Sequence, residues 1–297
     1  MKRMNSMTVR NAAKINLALD VTGRLPNGYH TIESVFQTVG IYDEITAALT
    51  DSEITVSCDV PEKFKESDEI PCDERNIAFR AAKLFFESAD LNCGCSIHIK
   101  KGIPSQAGMG GGSSDAAAVL YILNRLTGTD FPNDKLAEIG AKLGADVPFF
   151  LTGGTAYVSG IGERITPIAD FSGKILVIAK GSDGVSTAEA YRNIDSLVNP
   201  GHPRTDELVR AISSGSNTAY ELFGNLFEDA VQLGSVSDIK DIMNENGALS
   251  SVMTGSGSAI FGMFADKLTA EKCAEKLVSC GYFAQVCETV KEAFIEI

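Results

Sequence analysis

The 297-residue chain reads as an α+β protein of two domains, 1–168 and 169–297. Three observations predict this. Strand-type and helix-type segments mix without the strict alternation that a doubly wound sheet requires. The length, with 44% hydrophobic residues, suffices for two cores. Between Pro167 and Lys174 a run punctuated by glycine and proline gives way to a second set of periodic segments, which places the boundary there.

From the N-terminus, Ala12 to Val21 alternates so that Ala13, Ile15, Leu17, Leu19 and Val21 share one face and Lys14, Asn16 and Asp20 the other, a strand with one polar face. Arg24 to His30 is a turn-rich loop, and Ser34 to Thr46 is extended. The acid-rich stretch Asp51 to Glu74 reads as a solvated face and linker. Asn76 to Ser88 has helical spacing, Ser96 to Lys100 is a short strand, and Asp115 to Arg125 is strongly helical. A helix from Asn133 to Leu143 ends at Gly144, and Ala145 to Pro148 opens another element. The second half offers a buried-type strand, Lys174 to Ala179, then helices at 186–194, 218–233 and 236–246, and a strand from Ala259 to Phe264. A helix, Lys267 to Ser279, and a strand, Phe283 to Thr289, close the chain.

With 26 basic and 39 acidic residues the net charge is −13, so the average surface repels nucleic acid and anionic lipid. A metabolite anion stays compatible, because a local nest of amides and lysines outweighs the global field within roughly 8 Å. The basic N-terminal residues have no apolar run behind them, unlike a secretory signal, and no run approaches the roughly 20 apolar residues of a membrane span. Seven cysteines, an odd number, fit a reducing cytoplasm. Cys273, Cys280 and Cys287 recur every seven residues, which fits one helix stripe of buried thiols. Neither the cysteines nor His30, His98 and His202 are spaced as a metal site.

The segment P-S-Q-A-G-M-G-G-G-S-S comprises Pro104, Ser105, Gln106, Ala107, Gly108, Met109, Gly110, Gly111, Gly112, Ser113 and Ser114. A helix starting at Ser113 or Ser114 would present unpaired amides and the positive end of its dipole, and the glycines let an anion approach the backbone. No lysine completes a P-loop, and the glycine spacing is not that of a dinucleotide fingerprint. Phosphate binding and a flexible structural turn both remain on spacing alone. Bland readings stand beside other candidates too. Asp146 and Thr187 are placed to cap helices, Lys14 to face solvent on an edge strand, His30 to sit in a turn, and Gly255 to Gly257 to form a tight turn.

The string P-x-x-x-G-M-G-G-G-S-S-D-A-A closely resembles the second motif of the galactokinase, homoserine, mevalonate and phosphomevalonate kinase superfamily. Within it, A-K-I-N-L at Ala13 to Leu17, Gly23-Arg24 and G-Y-H at Gly28 to His30 look like the 4-diphosphocytidyl-2-C-methyl-D-erythritol kinases of the non-mevalonate isoprenoid pathway. Further matches are Leu143 to Phe149, Gly184 to Ala188, N-L-F-E at Asn225 to Glu228 and M-T-G-S-G at Met253 to Gly257, so the likeness spans nearly the whole chain.

The resemblance implies an S5-like N-terminal domain that binds ATP and carries the catalysis, a ferredoxin-like C-terminal domain, and phosphorylation of the substrate's 2-hydroxyl, with ATP and Mg2+ as cofactors. It makes Lys14 and Asp146 catalytic, gives the glycine segment to ATP, and sets Tyr29 and His30 at the cytosine end of the substrate, with Thr187 a further contact. Asn16, on the same strand face as Lys14, would line the same cleft. Magnesium ligands stay unassigned, and no obligate protein partner is evident. Two departures stand out: Met109 replaces the usual leucine, and Asp115 stands where asparagine is common. A negative charge beside a phosphate loop should point away, cap its helix or sit near a metal ion. Two rivals stay open, another kinase of the superfamily and a sensor that binds ATP without turnover. The presence of both Lys14 and Asp146 argues against the sensor.

Overall fold

The computed structural model describes residues 5–64 and 70–297. Its first sheet is built on the long antiparallel pair β1 (Ser6–Arg24) and β2 (His30–Thr50). Register shifts after Ala12, Asn16 and Val21 interrupt the alternation, and every residue from Asn11 to Val21 is buried. The chain continues through β3 (Ile54–Asp59), α1 (Ile77–Ser88), β4 (Gly94–Lys100), α2 (Gly111–Thr127), α3 (Asn133–Ala141), α4 (Val147–Thr152), β5 (Thr155–Ser159) and β6 (Arg164–Pro167). The second half contains β7 (Ile175–Lys180), α5 (Thr187–Ile194), α6 (Thr205–Ser213), β8 (Gly224–Asn225), α7 (Phe227–Ala230), α8 (Gly234–Glu245), β9 (Ser250–Met253), β10 (Ile260–Phe264), α9 (Lys267–Ser279), β11 (Phe283–Glu288) and β12 (Phe294–Glu296).

The first sheet runs β12-β1-β2-β4-β3, with β5 and β6 continuing from β2 and β8 lying parallel to β1. The second is β11-β7-β10-β9, all antiparallel. Taken with α8 and α9, that is the βαββαβ order of a ferredoxin-like domain. On one side of the first sheet, Ile45, Ile97 and Ile99 pack under α1 and α2 through Phe85, Ala117 and Leu120. Ala13, Ile15 and Leu17 instead join Leu176, Ile178, Phe261 and Met263 of the second sheet in one apolar cluster. Burial of β1 on both sides follows, and it puts Lys14 and Asn16 in an interior cleft instead of on a solvated edge.

The boundary expected at 168/169 falls between β6 and β7, although β8 and β12, both beyond it in sequence, pair with β1. Several local readings are corrected. The acid-rich stretch holds β3, parallel to β4, while residues 65–69 lie outside the described residues. The run ahead of the boundary, punctuated by glycine and proline, contains the β5–β6 pair. The single helix expected at 218–233 is instead a 3-10 turn at Asn217–Leu222, then β8, then α7, because Gly224 and Asn225 pair with Ala18 and Leu19. The seven-residue cysteine spacing is no helix stripe. Cys273 lies buried in α9, Cys280 is exposed just past it, and Cys287 is buried in β11; all seven cysteines are free thiols. Among the described residues no helix is long and apolar enough to cross a membrane.

Candidate active site

Lys14 is 3% exposed. Its Nζ donates to Asn16 Oδ1 at 2.7 Å, lies 3.5 Å from Asp146 Oδ2, and sits 4.7 Å above the Phe36 ring. Burial lowers its pKa, and the adjacent Asp146 charge opposes that shift. Asp146 occupies the N-cap position of α4, yet its φ and ψ are helical, −78° and −16°, and its side chain makes no capping hydrogen bond. The carboxylate faces the lysine instead and remains partly open to solvent.

Asn16 is the hub behind this pair. Its Oδ1 also accepts from the Gly255 amide at 2.9 Å and the Thr254 hydroxyl at 3.1 Å, while its Nδ2 donates to Ser34 Oγ at 3.0 Å. With every polar atom of the side chain engaged, Asn16 orients Lys14. It borders a cavity of about 180 Å³ together with Lys14, Asp146, Thr187, Gly110 and Gly255.

The glycine segment abuts that cavity on one side and a larger one, about 460 Å³, on the other. The larger cavity is lined by Pro104 through Ser113 together with Arg75, Asn76, Lys101 and Asp115. α2 starts at Gly111, earlier than Ser113, because Gly110 at φ 70° supplies the turn into the helix. A Cβ on Gly110 would lie 2.8 Å from the Phe150 ring, and one on Gly108 would lie 2.1 Å from the Thr254 carbonyl oxygen. Glycine is therefore required for this loop to nest against the second glycine turn at 254–257. The Lys14 amide donates to Met109 carbonyl oxygen at 3.0 Å, fixing the loop to β1, and the Met109 and Ala107 side chains are buried beneath it. The first amides of α2 have no partner within the helix, and the residues that carry them, Gly111, Gly112 and Ser113, line the larger cavity. Ser114 faces the other way: buried, its hydroxyl donates to Ala12 carbonyl oxygen at 2.7 Å and accepts from Asn11 Nδ2 at 3.0 Å.

Asp115 is buried in α2 and lines the larger cavity together with Lys101. Its Oδ2 accepts from Lys101 Nζ at 3.0 Å and its Oδ1 from Asn11 Nδ2 at 2.9 Å. Lys101 also donates to Asp43, which accepts the Gly102 and Ile103 amides. Although burial alone would lower it, the Asp115 and Asp43 carboxylates hold the Lys101 pKa above its usual range. Burial, then the Asp115 charge, push Asp43 up to about 8. Asp115 is thus neither turned from the loop nor capping its helix; its charge is paired with Lys101 beside the loop. Among the described residues no group of three or more histidine, cysteine, aspartate or glutamate side chains is arranged to hold a metal ion.

At the far end, Thr187 Oγ1 lies 3.0 Å from Ser256 Oγ, while the helix capping expected of Thr187 is done by Ser186, whose Oγ accepts the Glu189 amide. The His30 ring stacks on Tyr191, centroids 4.7 Å apart, and its Nε2 lies 2.7 Å from Asp195 Oδ1. Arg24 Nη1 donates to the other Asp195 oxygen at 3.0 Å. The hydrogen bond from His30, with the His30 and Arg24 charges, keeps the Asp195 pKa below its usual value. Tyr29, next to His30 in the chain, is 60% exposed and lines neither of the two cavities. The site thus includes Tyr191, Asp195, Thr254, Ser34, Phe36 and Lys101, which sequence reading did not single out. The one available signal was position: Tyr191 lies one helical turn after Thr187, Thr254 beside Gly255, and Lys101 just before Pro104.

The chain matches the models of the GHMP kinases N terminal domain at residues 76–154 and of GHMP kinases C terminal at 203–282. It is 42% identical over 275 residues to a Clostridium botulinum (strain Eklund 17B) 4-diphosphocytidyl-2-C-methyl-D-erythritol kinase, covering 91% of this chain and 95% of that one. A Clostridium tetani enzyme of the same name is 41% identical over 278 residues, covering 92% and 96%. The crystal structure of a 4-(cytidine 5'-diphospho)-2C-methyl-D-erythritol kinase superposes with a TM-score of 0.78 at 30% identity, over 95% of this chain and 98% of that one. A homoserine kinase from Cytophaga hutchinsonii has the same TM-score, 0.78, at 18% identity, over 100% and 99%, and shares the fold alone. With full-length relatives at this identity and the two glycine turns meeting over Lys14, the chain belongs to the 4-diphosphocytidyl-2-C-methyl-D-erythritol kinases of the GHMP kinase superfamily.

Proposed function

We propose that the protein transfers the γ-phosphoryl group of ATP to the 2-hydroxyl of 4-diphosphocytidyl-2-C-methyl-D-erythritol, releasing ADP, in isoprenoid precursor synthesis. The observation that carries this reading is the Asp146 carboxylate, turned from its helix toward Lys14 in the cavity where both glycine turns meet. In the step itself, the substrate oxygen bonds to the γ-phosphorus as the bond to the β-phosphate bridging oxygen breaks, and Asp146 takes the hydroxyl proton. Lys14 keeps the carboxylate ionised and oriented by charge pairing.

The amides opening α2 and the backbone from Gly108 to Ser113 hold the phosphates, with Ala107, Met109 and Ser114 setting the loop's shape from below. Pro104, Ser105 and Gln106 border the rest of the nucleotide. Thr187, Tyr29 and His30 contact the acceptor, a phenol ring being suited to stack on a pyrimidine. Mg2+, if bound with ATP, would supply countercharge to the phosphates, and among the described residues no cluster of three or more carboxylate, histidine or cysteine side chains is arranged to hold it. Residues 1–168 form the ATP-binding and catalytic domain and 169–297 the ferredoxin-like one. The free thiols fit a reducing cytoplasm.

Product analysis tests the assignment. Phosphorus NMR of the reaction with ATP and the cytidylyl substrate is expected to show one new phosphomonoester, with proton and carbon shifts placing it on the 2-oxygen. A phosphate on another hydroxyl, or none, contradicts it.

A further inference from the structure

The N-L-F-E motif, Asn225 to Glu228, lies outside every role assigned above. Asn225 is 7% exposed, and its amide group spends both donors on backbone: Nδ2 reaches Met253 carbonyl oxygen at 2.6 Å and Gly255 carbonyl oxygen at 2.8 Å, the two carbonyls flanking Thr254. Its Oδ1 accepts the Phe227 amide at 3.0 Å, which fixes which way the amide faces. Glu228 Oε1 accepts the Met253 amide at 2.7 Å, and its other oxygen accepts from Lys240 Nζ. The motif is itself anchored to the strand that carries Lys14, since β8 pairs with Ala18 and Leu19 and the Leu226 amide donates to Leu19 carbonyl oxygen at 2.9 Å.

We infer that Asn225 and Glu228 are positioning residues for phosphoryl transfer, clamping the 253–255 backbone so that Thr254 and Gly255 present their donors to Asn16. The relay is continuous. The clamped Gly255 amide and Thr254 hydroxyl hold Asn16 Oδ1, that oxygen accepts from Lys14 Nζ, and Lys14 faces Asp146. The same backbone meets the phosphate loop, because a Cβ on Gly255 would lie 2.8 Å from the Gly108 Cα. A buried carboxamide suits this role because it donates to two carbonyls at once, which no hydroxyl or carboxylate of similar size does. This inference rests on the kinase reading above.

Asn225→Asp keeps the size but sets an acceptor against two carbonyl oxygens. We expect kcat to fall about 30-fold while KM for ATP and for the acceptor moves less than about 3-fold. In an Asn16→Ala background the further loss should shrink below about 2-fold, since the two residues act in series. A kcat within 2-fold of wild type, or a loss undiminished in that background, overturns the inference.

If Asn225→Asp does not fold, Glu228 decides. Glu228→Ala should lower kcat about 10-fold, Glu228→Gln should restore most of it by keeping an acceptor for the Met253 amide, and Lys240→Met should leave turnover unchanged. Equal losses for Ala and Gln refute the clamp. Hydrogen exchange of the ligand-free protein needs no acceptor: the Gly255 amide should exchange at least about 10-fold faster in Asn225→Asp or Glu228→Ala. Accelerated exchange in a protein whose wild type ignores the cytidylyl substrate would sink the kinase assignment and keep the clamp. Unchanged exchange would sink the clamp alone.

Discussion

Asp146 faces Lys14 because Val147 and Pro148 begin α4 without needing its side chain as a cap. That frees a carboxylate for proton transfer, so Asp146→Asn is expected to lower kcat by about 10²–10⁴-fold with little effect on KM for ATP, measured by steady-state ADP release. Lys14 shows the opposite face of the same design. Burial holds its folded pKa below the unfolded value, so between those two values the folded state binds fewer protons than the unfolded one. The group therefore costs stability below its folded pKa, and the cost fades as pH rises toward 10.5, the ordinary value. Lys14→Met should consequently melt no lower than wild type at neutral pH while turnover collapses; a large drop in Tm contradicts this. Asp43 has a folded pKa of about 8 against an ordinary 3.8, so its extra folded-state proton stabilises below that window and is lost as pH rises through 8. Asp115→Asn removes the nearby charge that helps raise it. Thermal melts from pH 6 to 9 should then fall less steeply in the variant than in wild type, and equal slopes would refute the coupling.

Among elements, the turn from Gly108 into α2 depends most strictly on residue identity. Gly108→Ala would drive a methyl into the Thr254 carbonyl, a backbone atom that cannot swing aside, at a position with φ of 70°. A rise of at least about 10-fold in KM for ATP, with a lower Tm, is expected from the separated glycine turns; unchanged kinetics would show that their contact is dispensable. Legibility in the sequence follows the same physics. Elements whose own periodicity and caps define them, such as α1, α9 and β10, were readable within a few residues. Elements that exist only through a distant partner were not: β8 and β12 are short and need β1, and β3 needs β4. At the site, the glycine segment stood out by its own motif, while Lys14 and Asp146 were singled out by the family resemblance. The engaged state of Asn16 and Ser114, the Asp43–Lys101–Asp115 cluster and the Tyr191–His30 stack depend on residues far apart in the chain, which no local spacing encodes.

At the scale of the molecule, one apolar cluster spans both sheets, and β8 and β12 return to the first. Heat should therefore unfold the protein in a single calorimetric transition, and a 1–168 fragment, lacking the partners of Ala13, Ile15 and Leu17, should not fold alone. Two separated transitions would contradict that packing. The net charge of −13 opposes an anionic nucleotide at long range, so raising ionic strength from about 10 to 150 mM should leave kcat/KM for ATP unchanged or higher. A steep fall would reveal an attractive field that the surface charge does not predict. The acceptor assignment itself is tested most directly by coupled ADP release with 4-diphosphocytidyl-2-C-methyl-D-erythritol, mevalonate and homoserine offered in parallel. Turnover with the cytidylyl compound, and little or none with the others, is the predicted result; turnover with mevalonate or homoserine alone would contradict the account.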